Sequence, residues 1–126
     1  MIIRDIMVNE SAEMYLENIL ILQKQKGNVR SIDLAEYMNY SKPSISRAVN
    51  LLKERGYIVI ESNGNIYFTE KGKEYAEKIY SKHLVISQAL MYLGVSEEVA
   101  VNDACKIEHV ISDESFEAIK KHMHNR

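Results

Sequence analysis

The chain has 126 residues, enough for one domain or two small subdomains sharing a core, and its 16 basic and 18 acidic side chains leave a formal net charge of −2. That balance excludes an overall positive field for nucleic acid and leaves any attraction for phosphate to local patches. A single cysteine excludes an internal disulfide. No apolar run approaches the roughly 20 residues needed to span a bilayer, and the opening MIIRDIM is short and carries an acid, unlike a signal peptide, so the expectation is a cytoplasmic protein with no membrane partner.

In chain order, ESAEMYLENILILQKQKG reads as a helix closed by Gly27, with Tyr15, Ile19 and Leu22 on one stripe and Leu16 and Leu20 beside it. SIDLAEYM predicts a short second helix that Ser31 can cap, with Ile32, Ala35 and Met38 sharing a face. After the tight link NYS, a third helix starts with Ser41 or Lys42 at the cap, Pro43 in its first turn, an inner stripe of Ile45, Val49 and Leu52, and Gly56 past its end. YIVIE and IYFT then predict two strands with Ile58, Ile60, Ile66 and Phe68 at alternate positions, joined by SNGN, whose Asn-Gly pair is a strong hairpin signal. Thr69 caps a long helix to about Tyr92, Ser96 with Glu97 and Glu98 opens a fifth, and Ser112 with Asp113 and Glu114 opens a sixth.

Three helices, a hairpin and three more helices predict a mainly α fold with a small β-hairpin: an N-terminal winged helix-turn-helix, residues 1–72, followed by a helical module, residues 73–126. In such a fold the third helix enters the major groove of double-stranded DNA and the hairpin touches phosphate. The candidate DNA-binding residues are therefore Ser41, Lys42, Pro43, Ser44, Ser46 and Arg47. Arg47 has the fork that reads guanine, while Ser41, Lys42 and Ser44 can reach phosphate. The bland alternative is a solvated helix face. Arg30, Asn63 and Asn65 are weaker candidates, for which plain surface is the better reading.

The stretch NDACKIEHVI places Cys105, Glu108 and His109 at i, i+3 and i+4 of a helix, one face offering sulfur, oxygen and nitrogen. Such a donor set suits a transition-metal ion better than calcium or magnesium, which take oxygen ligands. The alternatives are a small buried cysteine beside a solvated edge, a nucleophilic Cys-His pair, or an oxidant-sensing thiol on a metal-independent winged-helix regulator. The nucleophile reading lacks an oxyanion-stabilising turn or substrate pocket in the sequence, and no enzymatic activity is expected. Taken singly, Met14 reads as core filler, Glu17 as surface and His83 as a partly buried histidine.

SAEMYLENI, KPSISRAVNLLKERGYI, FTEKG, the Lys82-His83 pair and DACKIEHVISDE together resemble the metal-dependent repressors of the diphtheria toxin repressor and manganese transport regulator family, from about Ser11 to Phe116. The resemblance implies a homodimeric, metal-activated transcriptional repressor of iron or manganese homeostasis, acting on a palindromic operator. It also implies that Met14, Cys105, Glu108 and His109 occupy metal-ligand positions of the iron-type branch, and that Glu17 and His83 fall where the manganese-type branch has ligands. A second, ancillary site of the iron type is not matched, since Ser87 stands where a carboxylate is expected and Val101 where a histidine is. The thiol favours Fe(II) as the cofactor, with Mn(II) second.

Overall fold

The computed structural model describes residues 3–125, with side chains from residue 11 onward. Its elements follow the expected order: α1 (Ile3–Lys26), α2 (Ser31–Met38), α3 (Lys42–Glu54), β1 (Ile58–Ile60), β2 (Ile66–Phe68), α4 (Glu70–Tyr92), α5 (Glu97–Ile107) and α6 (Asp113–His124). The backbone of α1 begins seven residues before the expected Glu10. Two compact units, Met1–Glu77 and Lys78–Arg126, divide within α4.

In the first unit α1, α2 and α3 pack on one another, and α3 also packs on β1. Leu16, Ile19, Leu20 and Leu22 from α1 are buried together with Ile45, Val49 and Leu52 from α3 and Ile58 and Ile66 from the hairpin, at roughly 1.5–3 kcal/mol for each fully buried aliphatic side chain. The second helix corrects its sequence reading. Its buried residues are Leu34 and Ala35, whereas Ile32 is 45% exposed. With only eight residues, it buries a narrow strip, and a one-residue change of phase moves an expected contact to solvent. The cap is also different: Arg30, not Ser31, is the cap residue, and the Asp33 carboxylate accepts from the Arg30 backbone N–H at 2.9 Å. The Lys26 ammonium 2.6 Å away, followed by that backbone donor, holds the Asp33 carboxyl below its ordinary range.

α2 ends at Asn39 in the left-handed region, φ 57°, with its N–H on the Ala35 and Glu36 carbonyls, as a residue terminating a helix does. Ser41 then caps α3, its hydroxyl accepting from the Ser44 N–H, and Pro43 lies in the first turn. The hairpin is antiparallel with Ile58 opposite Phe68 and Ile60 opposite Ile66. Its turn is a three-residue loop in which the Gly64 N–H donates to Glu61 and the Glu61 N–H to Asn65. Only Gly64 takes positive φ there, 89°, so the glycine supplies a bulged turn rather than one needing two left-handed residues.

Thr69 caps α4, its hydroxyl accepting from the Gly72 N–H at 3.1 Å and donating to the Gly56 carbonyl at 2.6 Å. This brings α4 against the start of the wing so closely that a Cβ on Gly72 would lie 1.8 Å from the Tyr57 carbonyl oxygen. The second unit buries Ile86, Ala104 and Phe116, with Val85, Leu90, Ile107 and Ile111 packed around them. Ser96 and Ser112 cap α5 and α6 as their sequences predict. No helix among the described residues is long and apolar enough to cross a membrane. Because the Tyr57 obstacle is backbone, Gly72→Ala is expected to destabilise the protein by about 1–3 kcal/mol, read as a lower urea midpoint at unchanged slope; an unchanged midpoint would show that α4 can retreat without loss.

Candidate metal centre and nucleic-acid interface

In the second unit, α4 supplies His83 and the end of α5 supplies Cys105, Glu108 and His109. The expected single helical face is interrupted, because α5 stops at Ile107 and Glu108 is its C-cap residue. The His109 and Val110 N–H groups reach back only three residues, to Lys106 and Ile107, tightening the last turn in the manner of a 3₁₀ ending. The donors nevertheless converge. His83 Nδ1 lies 2.9 Å from Glu108 Oε2 and 3.8 Å from Cys105 Sγ, and His109 Nε2 is 3.3 Å from Glu108 Oε1.

Burial separates these groups. Cys105 is exposed, which removes the reading of a small core cysteine, whereas the Glu108 side chain has 0% exposure. Its Oε1 atom is buried and accepts no hydrogen bond. A buried carboxylate left with an open lone pair is costly unless a cation or a proton meets it. Here the protein's own answer is a proton on His83: hydrogen bonds to Cys105 and to Glu108 push that imidazole up to about 10. Sulfur, nitrogen and a carboxylate oxygen from these three residues, within 4.8 Å of one another, form a donor set that fits a divalent transition-metal ion in place of that proton.

In the first unit, Met14 is half-buried on α1 and Glu17, three residues on, is buried with 5% exposure. The surface reading of Glu17 is therefore corrected. Of the departures from the iron-type pattern, Ser87 is buried and donates its hydroxyl to the His83 carbonyl at 2.7 Å, so it satisfies itself on its own helix and contributes no anion. His122 and His124 are exposed on α6.

The candidate DNA-contact residues lie at the start of α3. Ser41, Lys42, Pro43, Ser46 and Arg47 are exposed and Ser44 is half-buried. Ser44 is already engaged: its hydroxyl accepts from Ser41 Oγ at 2.9 Å and from Arg47 Nη2 at 3.4 Å. Arg47 is thus tied to its own helix through one guanidinium nitrogen while remaining exposed. Sequence reasoning missed an aromatic feature behind this face, the Tyr15 ring against Tyr40 in an edge contact, centroids 6.2 Å apart. The signal was present in Tyr40, a large side chain at the turn before a helix cap, where small polar residues are usual. Arg30 stands beside the wing, its guanidinium 3.0 Å from where a Cβ on Gly64 would be.

Two family descriptions match successive parts of the chain: iron dependent repressor, N-terminal DNA binding domain, over residues 7–66, and iron dependent repressor, metal binding and dimerisation domain, over residues 69–126. The chain belongs to the iron-dependent repressor family. This is a family of metal-dependent, DNA-binding transcriptional regulators, as the sequence resemblance implied. Among its members, an HTH-type transcriptional regulator of Methanocaldococcus jannaschii is 36% identical over 115 residues, 90% of this chain and 92% of that protein. The HTH-type transcriptional regulator MntR of Bacillus subtilis is 33% identical over 113 residues, 90% of this chain and 80% of MntR. Of solved structures, the manganese regulator SloR superposes with a TM-score of 0.79 at 27% identity, over 91% of this chain and 54% of SloR. The metal-dependent transcriptional regulator MtsR gives 0.83 at 25%, over 90% of this chain and 53% of MtsR. The chain thus spans about half the length of these two solved relatives.

A family member that binds metal through His83 must first lose the imidazole proton, so metal uptake is expected to release protons and to tighten as pH rises toward about 10, measured by calorimetry in buffers of different ionisation enthalpy. The metal-free protein carries the opposite dependence. A pKa raised from 6.5 to about 10 on folding adds stability that is complete below the unfolded value and is lost as pH rises through the folded one. The melting temperature of the metal-free parent should therefore fall more steeply over that interval than that of His83→Gln; parallel curves would show that His83 holds no such proton.

Proposed function

We propose that the protein is a metal-activated transcriptional repressor, a homodimer whose winged helices bind a palindromic operator when a divalent ion is held by Met14, Glu17, His83, Cys105, Glu108 and His109. The observation that carries this reading is the buried, incompletely satisfied Glu108 carboxylate beside His83 and Cys105, in a chain that also carries a winged helix-turn-helix.

The bound ion supplies the positive charge that lets anionic and polar donors from separate helices share one site. Each donor has a definable part. Glu108 is the fixed anion, already desolvated; His83 offers Nδ1 once deprotonated; Cys105, exposed at the mouth of the group, adds the soft donor; His109 reaches the second Glu108 oxygen. Met14 and Glu17, one turn apart on α1, complete the set in this reading and join α1 to the later helices. Without the ion, the acidic donors of α1 and of the later helices, Glu17 and Glu108, repel with no shared cation between them, so the DNA-reading heads keep their docked spacing only part of the time and operator affinity falls by that fraction. In a two-fold dimer the two α3 helices meet half-sites about one or more helical turns apart, which requires a palindrome.

For the ion itself, the thiol of Cys105 argues for Fe(II) over Mn(II), but the relatives lend no support to iron over manganese, and SloR is described as a manganese regulator. Mn(II) therefore stands at least level with Fe(II). The relatives give no support to oxidant sensing by Cys105.

The test starts with operator selected from random-sequence DNA and titrated anaerobically with Mn(II), Fe(II) and Zn(II). Affinity should rise with metal, and binding indifferent to all three would defeat the proposal. On that operator Arg47→Ala should cost roughly 1–3 kcal/mol and relax preference at one base pair. Lys42→Ala should weaken all sequences alike and reduce the salt slope by about one. An Arg47→Ala protein with the parent's base preferences would remove Arg47 from the reading role.

A further inference from the structure

Tyr15 occupies an unusual position on α1. It follows Met14 directly and precedes Glu17 by two residues, and at 100° per residue it projects to a different side of the helix from both. Met14 and Glu17 share a face, one turn apart. A displacement or rotation of α1 that serves those two side chains therefore moves the Tyr15 ring with it.

What the ring touches lies on the DNA-reading side of the first unit. Tyr15 meets Tyr40 edge to face, centroids 6.2 Å apart and planes at 77°. Tyr40 is held in the link between α2 and α3 by its N–H on the Ala35 carbonyl, 3.1 Å, and its neighbour Ser41 is the cap of α3. From Ser41 the contacts continue through the Ser44 hydroxyl to the Arg47 guanidinium. Half of Tyr40 is solvent-facing, 44% exposed, so the contact is not deep core whose only effect is stability.

We infer that Tyr15 is a positioning residue which, through its edge contact with Tyr40, ties the setting of α1 to the setting of the Ser41 cap and Arg47 at the start of the recognition helix. This rests on the metal-activated reading above, with Met14 and Glu17 as the α1 ligands, and adds the part of the first unit through which α1 acts on DNA affinity. A packed aromatic pair suits the task because its edge-to-face geometry has a narrow preferred arrangement. Coupling so carried is reciprocal, so operator must raise metal affinity by the same factor as metal raises operator affinity.

The experiment measures Mn(II) affinity without DNA, operator affinity with and without Mn(II), and thermal unfolding, in the full chain and in Tyr15→Leu, Tyr15→Phe and Tyr40→Leu. Expected in Tyr15→Leu is a folded protein whose DNA-free Mn(II) affinity stays within about twofold of the parent, but whose Mn(II)-induced gain in operator affinity is cut by about fivefold or more, the low end of coupling between sites. Tyr40→Leu should match it from the other side of the contact, and Tyr15→Phe, which keeps the ring, should retain the parental gain. A gain unchanged in Tyr15→Leu and Tyr40→Leu, even with operator binding uniformly weakened, would overturn the inference and leave the metal-activated reading intact. Loss of the gain in Tyr15→Phe equal to that in Tyr15→Leu would overturn it too, since the ring contact would not be the carrier. A parent that shows no gain with Mn(II), Fe(II) or Zn(II) would sink both.

Discussion

A carboxylate with no exposed side-chain surface has to be met by positive charge, and Glu108 is such a carboxylate. Its position follows from backbone geometry: as the C-cap of α5 it keeps a helical N–H to Ala104, and the packing of Ile86, Ala104 and Phe116 holds that helix end against α4. His83 is brought to 2.9 Å and takes up a proton far more firmly than a free imidazole. The proton is a partial solution, since the second carboxylate oxygen still lacks a hydrogen bond. In the proposed metal-bound state a divalent ion would meet that oxygen with a charge of two, and the exposed thiol nearby would give it a third donor.

The surface proposed to read DNA obeys the opposite rule. Apart from the half-buried Ser44 its polar side chains are exposed, and they contact one another, Ser41 with Ser44 and Ser44 with Arg47. With a chain of net charge −2 an overall positive field is lacking, and in the proposed DNA-bound state Lys42 and Arg47 would supply phosphate and base contacts locally. A regulator of that kind gains from a device that changes how its reading heads are held, because affinity then depends on geometry more than on charge.

Much of this was legible in the sequence. Thr69, Ser96 and Ser112 announce their helices because a hydroxyl before an acidic first turn satisfies free N–H groups locally, and Ile45, Val49 and Leu52 announce their face because thirteen residues of α3 are long enough for the period to show. The misreadings share a cause in tertiary context. Ile32 and Leu34 lie two residues apart on a short helix, and only the packing of its neighbours decides which is inside. Asp33 took over the capping task that Ser31 was expected to perform because a carboxylate at the third position can reach back to the Arg30 N–H. Glu17 taken singly looks like surface, since burial of a charge is decided by what surrounds it. Gly72 gave no sign that its missing side chain is what allows α4 to reach the Tyr57 carbonyl.

Whether Cys105, His83 and Glu108 form one metal centre can be read from optical titration of the full chain with Co(II) under anaerobic conditions. A near-ultraviolet thiolate charge-transfer band should saturate with bound Co(II) and be absent from Cys105→Ser, because this is the only cysteine in the chain. Tight Co(II) binding with no such band in the parent, or a spectrum and affinity unchanged in Cys105→Ser, would contradict it.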